Sequence, residues 1–183
     1  MEFVKSLKLT KIFKYLLVAL LGSILLAISS KIKIPFYPVP MTMQTFVVLF
    51  IGIAFGWRLG VATIILYLFE GIIGIPVFSG TPEKGLGLMY FTGPTMGYLI
   101  GFIVAVYLSG KFVYDNSVVK NFLKLSFATS FIYLLGMIWL GSLIGWEKPI
   151  FKLGAQPFLL AELFKILIAT LAINQIRKFR KFI

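Results

Sequence analysis

The stretch PFLLAELFKILIA, residues 157–169, holds one carboxylate and one ammonium in an otherwise apolar run: Glu162 and Lys165. Spaced i and i+3, they share one face of a helix. Pro157 suits a first helical position, where its missing N–H has no partner to lose. At about 1.5 Å rise per residue, Glu162 lies about 8 Å below that start and Lys165 about 12 Å. A charge facing lipid at mid-membrane costs at least about 2.5–3.5 kcal/mol on insertion scales, so such residues face a cavity or each other. Two readings stay open. In one, Lys165 snorkels to the interface and the pair neutralises itself. In the other, the pair floors a polar pocket that offers an acceptor and donors together. A ligand with both N–H and C=O groups would satisfy that floor, whereas a carboxylate alone would be repelled by Glu162.

Three more polar residues interrupt apolar segments: Gln44 in VPMTMQT, Tyr98 in GPTMGYLIGF, and Glu70 in LYLFEGIIG. Each has a plain alternative, as an interfacial amide, an aromatic-belt residue and a bundle hydrogen-bonder respectively.

The elements that would carry these residues are apolar helices. The chain has 183 residues, of which 60% are hydrophobic and 13% charged. A soluble domain is about 45–50% apolar and about 25% charged, so the composition is that of an integral membrane protein. A spanning helix needs about 20 apolar residues. Six runs qualify, at about 12–29, 42–57, 59–75, 92–109, 122–144 and 156–176. The expected fold is therefore all-α, a single six-helix membrane domain covering 1–183. The first run, with its basic start and the small residues of AISS, has features of a secretory signal. Its length favours a retained helix.

Lysine and arginine set the expected orientation. Twelve of the 18 fall on the side of the two termini, with Arg58 and the link holding Lys111, Lys120 and Lys124. Five fall opposite: Lys31, Lys33, Lys84, Lys148 and Lys152. Both termini are then cytoplasmic in a multi-pass cell-membrane protein, and the longer Pro- and Gly-rich links face outward. The net charge of +12 sits mainly at helix ends, where anionic headgroups attract it. The partner it implies is the lipid bilayer, with no role for nucleic acid.

There is no cysteine and no histidine, which removes thiolate chemistry and the commonest metal ligand and general base. The six acidic residues are scattered, and GTPEKGLG is not a phosphate loop. No metal, no cofactor and no enzymatic activity is expected. Small residues recur every four positions at Ala19, Ser23 and Ala27, at Gly52 and Gly56, and at Gly93, Gly97 and Gly101. Such stripes let helices approach closely in lipid, either inside the bundle or against a separate subunit.

Four ordered segments, YPVPMTMQTFVVLFIGIAFGWRLG, LYLFEGIIGIPVFSG, FTGPTMGYLIGF and PFLLAELFKILIA, resemble the BioY family across residues 35–169. BioY proteins are biotin-specific S components of energy-coupling factor (ECF) transporters. The resemblance implies a six-helix S-component bundle that binds biotin from the outer face. It also implies a transmembrane coupling subunit and two cytoplasmic ATPases as partners, the former contacted through Ala19, Ser23 and Ala27. The family usually has aspartate where this chain has Glu162, and Gly-Gly-Tyr where it has Met96-Gly97-Tyr98. Ser79 takes roughly the place of a polar family residue in the loop that covers the ligand. Glu162 would accept from biotin's ureido N–H groups and Lys165 would donate to its oxygen, or Lys165 would meet the valerate carboxylate. Gln44, Tyr98, Phe36 and Phe78 would complete the pocket. The alternatives are an S component for another vitamin and a membrane assembly subunit that transports nothing.

Overall fold

A computed structural model describes residues 2–83 and 85–181, with side chains for 11–83 and 85–180. Lys84, counted above among the outward cations, lies outside the described residues. The chain runs α1 (Glu2–Lys31), β1 (Lys33–Ile34), β2 (Met41–Thr42), α2 (Gln44–Ile72), α3 (Leu88–Phe91), α4 (Met96–Lys111), α5 (Val118–Ile144), α6 (Ile150–Gly154) and α7 (Leu159–Ile176). Single 3-10 turns, Gln156–Phe158 and Arg177–Lys181, flank α7. The strands form one antiparallel ribbon pairing Lys33 with Thr42 and Ile34 with Met41.

The stretches Lys11–Lys31, Gln44–Ile72, Val118–Ile144 and Ile150–Arg180 are long and apolar enough to cross a membrane; Met96–Lys111 is apolar but shorter. Large apolar side chains such as Leu21, Leu160 and Leu171 are more than 60% exposed. A soluble monomer does not display that much apolar surface.

The runs expected at 42–57 and 59–75 are joined in α2, with no loop at Arg58. The break comes earlier, at Gly56, whose φ of 76° and ψ of 172° leave the helical region. That backbone favours glycine, which has no Cβ to clash. The break is a fold-back, since Gln44 Nε2 donates to the Tyr67 hydroxyl at 2.7 Å. In a straight helix, positions 23 apart would lie about 34 Å from each other. Residues 44–55 and 57–72 are thus two antiparallel helical halves sharing a one-residue hinge. The hinge marks one end of the bundle. The other end gathers the 32–43 and 73–95 links, α6 and the start of α7.

The glycine stripes pack inside. A Cβ at Gly52 would strike Ser109 Oγ on α4, and one at Gly101 would overlap backbone atoms of Ile132 on α5. The stripe on α1 also turns inward, against the expectation that it meets a coupling subunit. Ser23 is fully buried and Ala19 is 6% exposed, while Ala27 packs against the core. The Ser23 hydroxyl donates to Glu70 Oε1 at 2.8 Å on the second half of α2. Small residues are needed here because a Cβ at Gly22 would already meet Thr63 and Phe55. The lipid-side face of α1 carries Leu20, Leu21, Ile24 and Ile28 instead.

Arg180 fastens the hinge end. Its Nε donates to Ile53 O at 2.7 Å, and its Nη2 donates to Gly52 O at 3.2 Å and Gly110 O at 3.0 Å. These carbonyls end the first half of α2 and α4, where helical C=O groups lack intrahelical partners. Hydrogen bonds from a charged donor contribute about 1.5–3 kcal/mol. Arg180→Ala is expected to lower stability by about that amount, with Arg180→Lys recovering only part. Thermal unfolding in detergent tests this, and an unchanged midpoint for Arg180→Ala would count against the clamp.

Candidate functional site

Three elements bring polar groups to the end of the bundle opposite the hinge. Helix α7 supplies Glu162 and Lys165, 3% and 8% exposed. Lys165 does not snorkel. Its Nζ donates to Thr42 O at 2.6 Å in β2, to Thr45 Oγ1 at 3.1 Å in α2 and to Glu162 Oε2 at 3.5 Å. An ammonium has three donors, and all three are engaged. Glu162 Oε2 also accepts from the Tyr133 hydroxyl of α5 at 2.7 Å. Oε1 is buried with no hydrogen-bond partner among the described residues. An unpaired buried acceptor is costly, which sets this oxygen apart from the fully bonded Oε2.

The pair borders a narrow cavity of ≈ 50 Å³. At about 10–15 Å³ per water, that is room for a few waters. Glu162, Lys165, Gln44, Phe78, Ser79 and Tyr98 all line it, as the sequence predicts. Phe36 does not. It is 40% exposed and its ring meets Phe158 edge-on at 5.8 Å, one layer behind the lining.

The lining residues play different parts. Gln44 spends its amide on Tyr67, whose hydroxyl donates to Val77 O at 3.0 Å, so it braces the loop rather than facing into space. Tyr98 donates its hydroxyl to Gly154 O at 2.7 Å, which leaves its ring as wall. Phe78 stacks on Tyr90 at 4.7 Å and meets Tyr67 edge-on at 5.2 Å. Ser79 Oγ, like Glu162 Oε1, is buried without a partner among the described residues.

The segment 77–81 that carries Phe78 and Ser79 is held by the end of α1 and the start of β1. Ser30 donates to Val77 O at 2.7 Å, Lys31 to Phe78 O at 2.8 Å and Thr81 O at 3.1 Å, and Lys33 to Ser79 O at 2.8 Å. Tyr133, Thr45, Tyr90 and Phe158 also belong to the lining and were not singled out in the sequence. Nothing in the pattern around Tyr133 separates it from the other seven tyrosines; only contact with Glu162 does. Among the described residues, no group of three acidic, His or Cys side chains could hold a metal ion.

The architecture defines an all-helical membrane protein with a small, largely apolar cavity and two unsatisfied polar atoms inside it. The BioY family profile matches residues 4–182, and the chain belongs to the BioY family. It is 33% identical over 157 residues to the "Probable biotin transporter BioY" of Pyrococcus horikoshii, covering 84% of this chain and 90% of that one. It is 30% identical over 155 residues to the "Biotin transporter BioY" of Thermotoga maritima, with the same shares covered. The crystal structure of an S-component for biotin from an ECF-type ABC transporter superposes with a TM-score of 0.76 at 22% identity, covering 92% of this chain and 93% of the other. That likeness establishes the shared fold.

Removing one member of a buried ion pair leaves an uncompensated charge, at a cost of about 3–5 kcal/mol. Lys165→Met is expected to destabilise the protein by that amount, and the Lys165→Met/Glu162→Met double variant to recover most of it. Thermal unfolding of the three proteins in one detergent decides this. A single variant as stable as the parent would place the ammonium outside any essential pairing.

Proposed function

We propose that this chain is the biotin-binding S component of an ECF-type transporter. The observation carrying this reading is the pair of buried, unpartnered atoms at the cavity, Glu162 Oε1 and Ser79 Oγ. Biotin offers two ureido N–H donors and one C=O acceptor. Glu162 Oε1 accepts from the ring N–H, and the Ser79 hydroxyl hydrogen-bonds a second polar group of the ligand. A carboxylate acceptor in a water-poor site makes the stronger class of hydrogen bond. With its three donors engaged, Lys165 serves the ligand indirectly, by balancing Glu162. This places the ureido ring at Glu162 and the valerate tail away from it. Phe78, Tyr98, Tyr133 and Phe158 surround the thioether ring and alkyl chain. Because the cavity is narrow, side chains of this aromatic wall must shift outward as ligand enters.

The relatives' names and the shared fold support the same assignment. In this reading the whole chain is one domain with six spans: α1, the two halves of α2, α4, α5 and α7. The hinge end carries Arg58, Lys111, Lys120, Lys124 and the basic run after Ile176, so it faces the cytoplasm with both termini, and the cavity opens outward. The chain binds and delivers without catalysing a reaction. A transmembrane coupling subunit and two ATPases supply the energy.

Binding of biotin, riboflavin, thiamine and folate to the purified chain tests the assignment, with biotin alone expected to bind. Glu162→Gln replaces one acceptor oxygen by a donor and should weaken biotin at least about tenfold, the lower end for a charged hydrogen bond. Equal affinity for the variant, or no biotin binding by the parent chain, overturns the reading. Tyr133→Phe releases Oε2 from its hydroxyl partner without touching Oε1. An affinity loss of about tenfold, with the fold retained by thermal unfolding, would mark it as a positioning residue.

A further inference from the structure

A second built feature lies at the hinge end, about 18 Å along α2 from Gln44, and does not depend on the biotin reading. Tyr15 of α1, Phe55, Gly56, Arg58, Leu59 and Ala62 of α2, and Arg180 of the tail line a groove of ≈ 610 Å³. Its walls are largely apolar, and among the described residues its only charged lining groups are two guanidiniums. The ion pairs among the described residues are Lys124 with Asp115 and Lys165 with Glu162, so neither arginine is neutralised by a carboxylate there.

The two arginines are prepared for an anion in different ways. Arg180 has five N–H donors, and three are spent on Ile53 O, Gly52 O and Gly110 O. The two on Nη1 have no partner among the described residues. Those three bonds hold the guanidinium in place, so a further contact costs it little side-chain entropy. Gly56 is kept by its positive φ, and a Cβ there would make only ordinary contact with Arg180 Cζ at 3.8 Å, so the guanidinium rests directly on the hinge. Arg58 is exposed and rests over the Trp57 ring at 5.0 Å, which orients it without a hydrogen bond. Trp and Tyr mark the headgroup depth of a bilayer, and Trp57 and Tyr15 stand beside the groove. A phosphate would sit between Arg58 and Arg180, with an acyl chain against Phe55, Leu59 and Ala62.

We propose that this groove binds one anionic phospholipid of the phosphatidylglycerol type, phosphate on the two arginines and acyl chain along α1 and α2. Charge complementarity selects the occupant: an apolar wall alone would take any lipid, but two cations without a carboxylate partner among the described residues prefer a phosphate lacking its own ammonium.

Native mass spectrometry of delipidated protein, titrated with phosphatidylglycerol or phosphatidylcholine, tests the proposal. Arg58→Gln is the informative variant, because Arg58 makes no contact on which the fold depends, whereas Arg180 also clamps α2 and α4. Lys120→Gln, at the same end but outside the groove, is the control. The parent protein and Lys120→Gln are expected to retain one phosphatidylglycerol in preference to phosphatidylcholine. Arg58→Gln should bind it about fivefold more weakly, the worth of one basic residue at an anionic surface. Equal retention of the two lipids would reduce the groove to apolar packing. Loss by Lys120→Gln as large as by Arg58→Gln would make the effect one of general charge. Displacement by inorganic phosphate alone would show an anion site without a lipid. Phosphatidylglycerol binding that ignores Arg58→Gln would leave the groove to another occupant, such as an acidic segment of a partner protein. Each of these four results overturns the proposal.

Discussion

A carboxylate and an ammonium buried three residues apart on α7 set the terms for the elements around them. Neither can be left bare in a lipid-spanning bundle, so partners converge from different parts of the chain: Tyr133 from α5, Thr45 from α2 and the Thr42 carbonyl from the β-ribbon. Each partner fixes α7 against one neighbour. The charges therefore serve as the joint where helices distant in sequence meet. One oxygen of Glu162 is fully committed to this joint and the other is not. That division lets a single residue both hold the structure and present an acceptor.

The cavity wall is held on the same terms. The carbonyls of 77–81 would be orphaned in an irregular loop, and the end of α1 supplies donors through Ser30 and Lys31, with Lys33 of β1 adding a third. Two of the cations that run against the charge asymmetry are thereby accounted for by local bonding. Buried backbone groups demand partners wherever they lie. Here the demand ties the loop carrying Phe78 and Ser79 to a helix whose remaining length packs against the second half of α2.

Much of this was legible in the sequence. The i, i+3 spacing put the two charges on one face and left open whether Lys165 snorkels, which its bonds to Thr42 O and Thr45 Oγ1 decide. Gln44, Tyr98, Phe78 and Ser79 reach the cavity as the motifs indicate. Local pattern fails where a residue's part depends on a contact made over long sequence separation. Tyr133 is one tyrosine among eight until α7 packs beside it. Phe36 sits in a promising loop but stops behind Phe158. The Ala19–Ser23–Ala27 spacing shows a surface built for close approach without naming the partner, which is α2 of the same chain. The break in α2 fell at Gly56 and not beside Arg58, because a hinge of one residue needs positive φ more than it needs polarity.

The fold-back in α2 also leaves the bundle uneven in height. Residues 44–55 reach about 18 Å and the 16-residue α4 about 24 Å, while the 27-residue α5 extends about 40 Å. A hydrocarbon layer is about 30 Å thick. Residues 44–55 have no exposed position, so this short half stands inside a jacket of longer helices, and the exposed apolar side chains lie chiefly on α1, α5 and α7. The thickness offered to the bilayer is therefore that of the outer helices, and α5, longer than the hydrocarbon layer, leans or thickens it locally at a modest cost per ångström of mismatch.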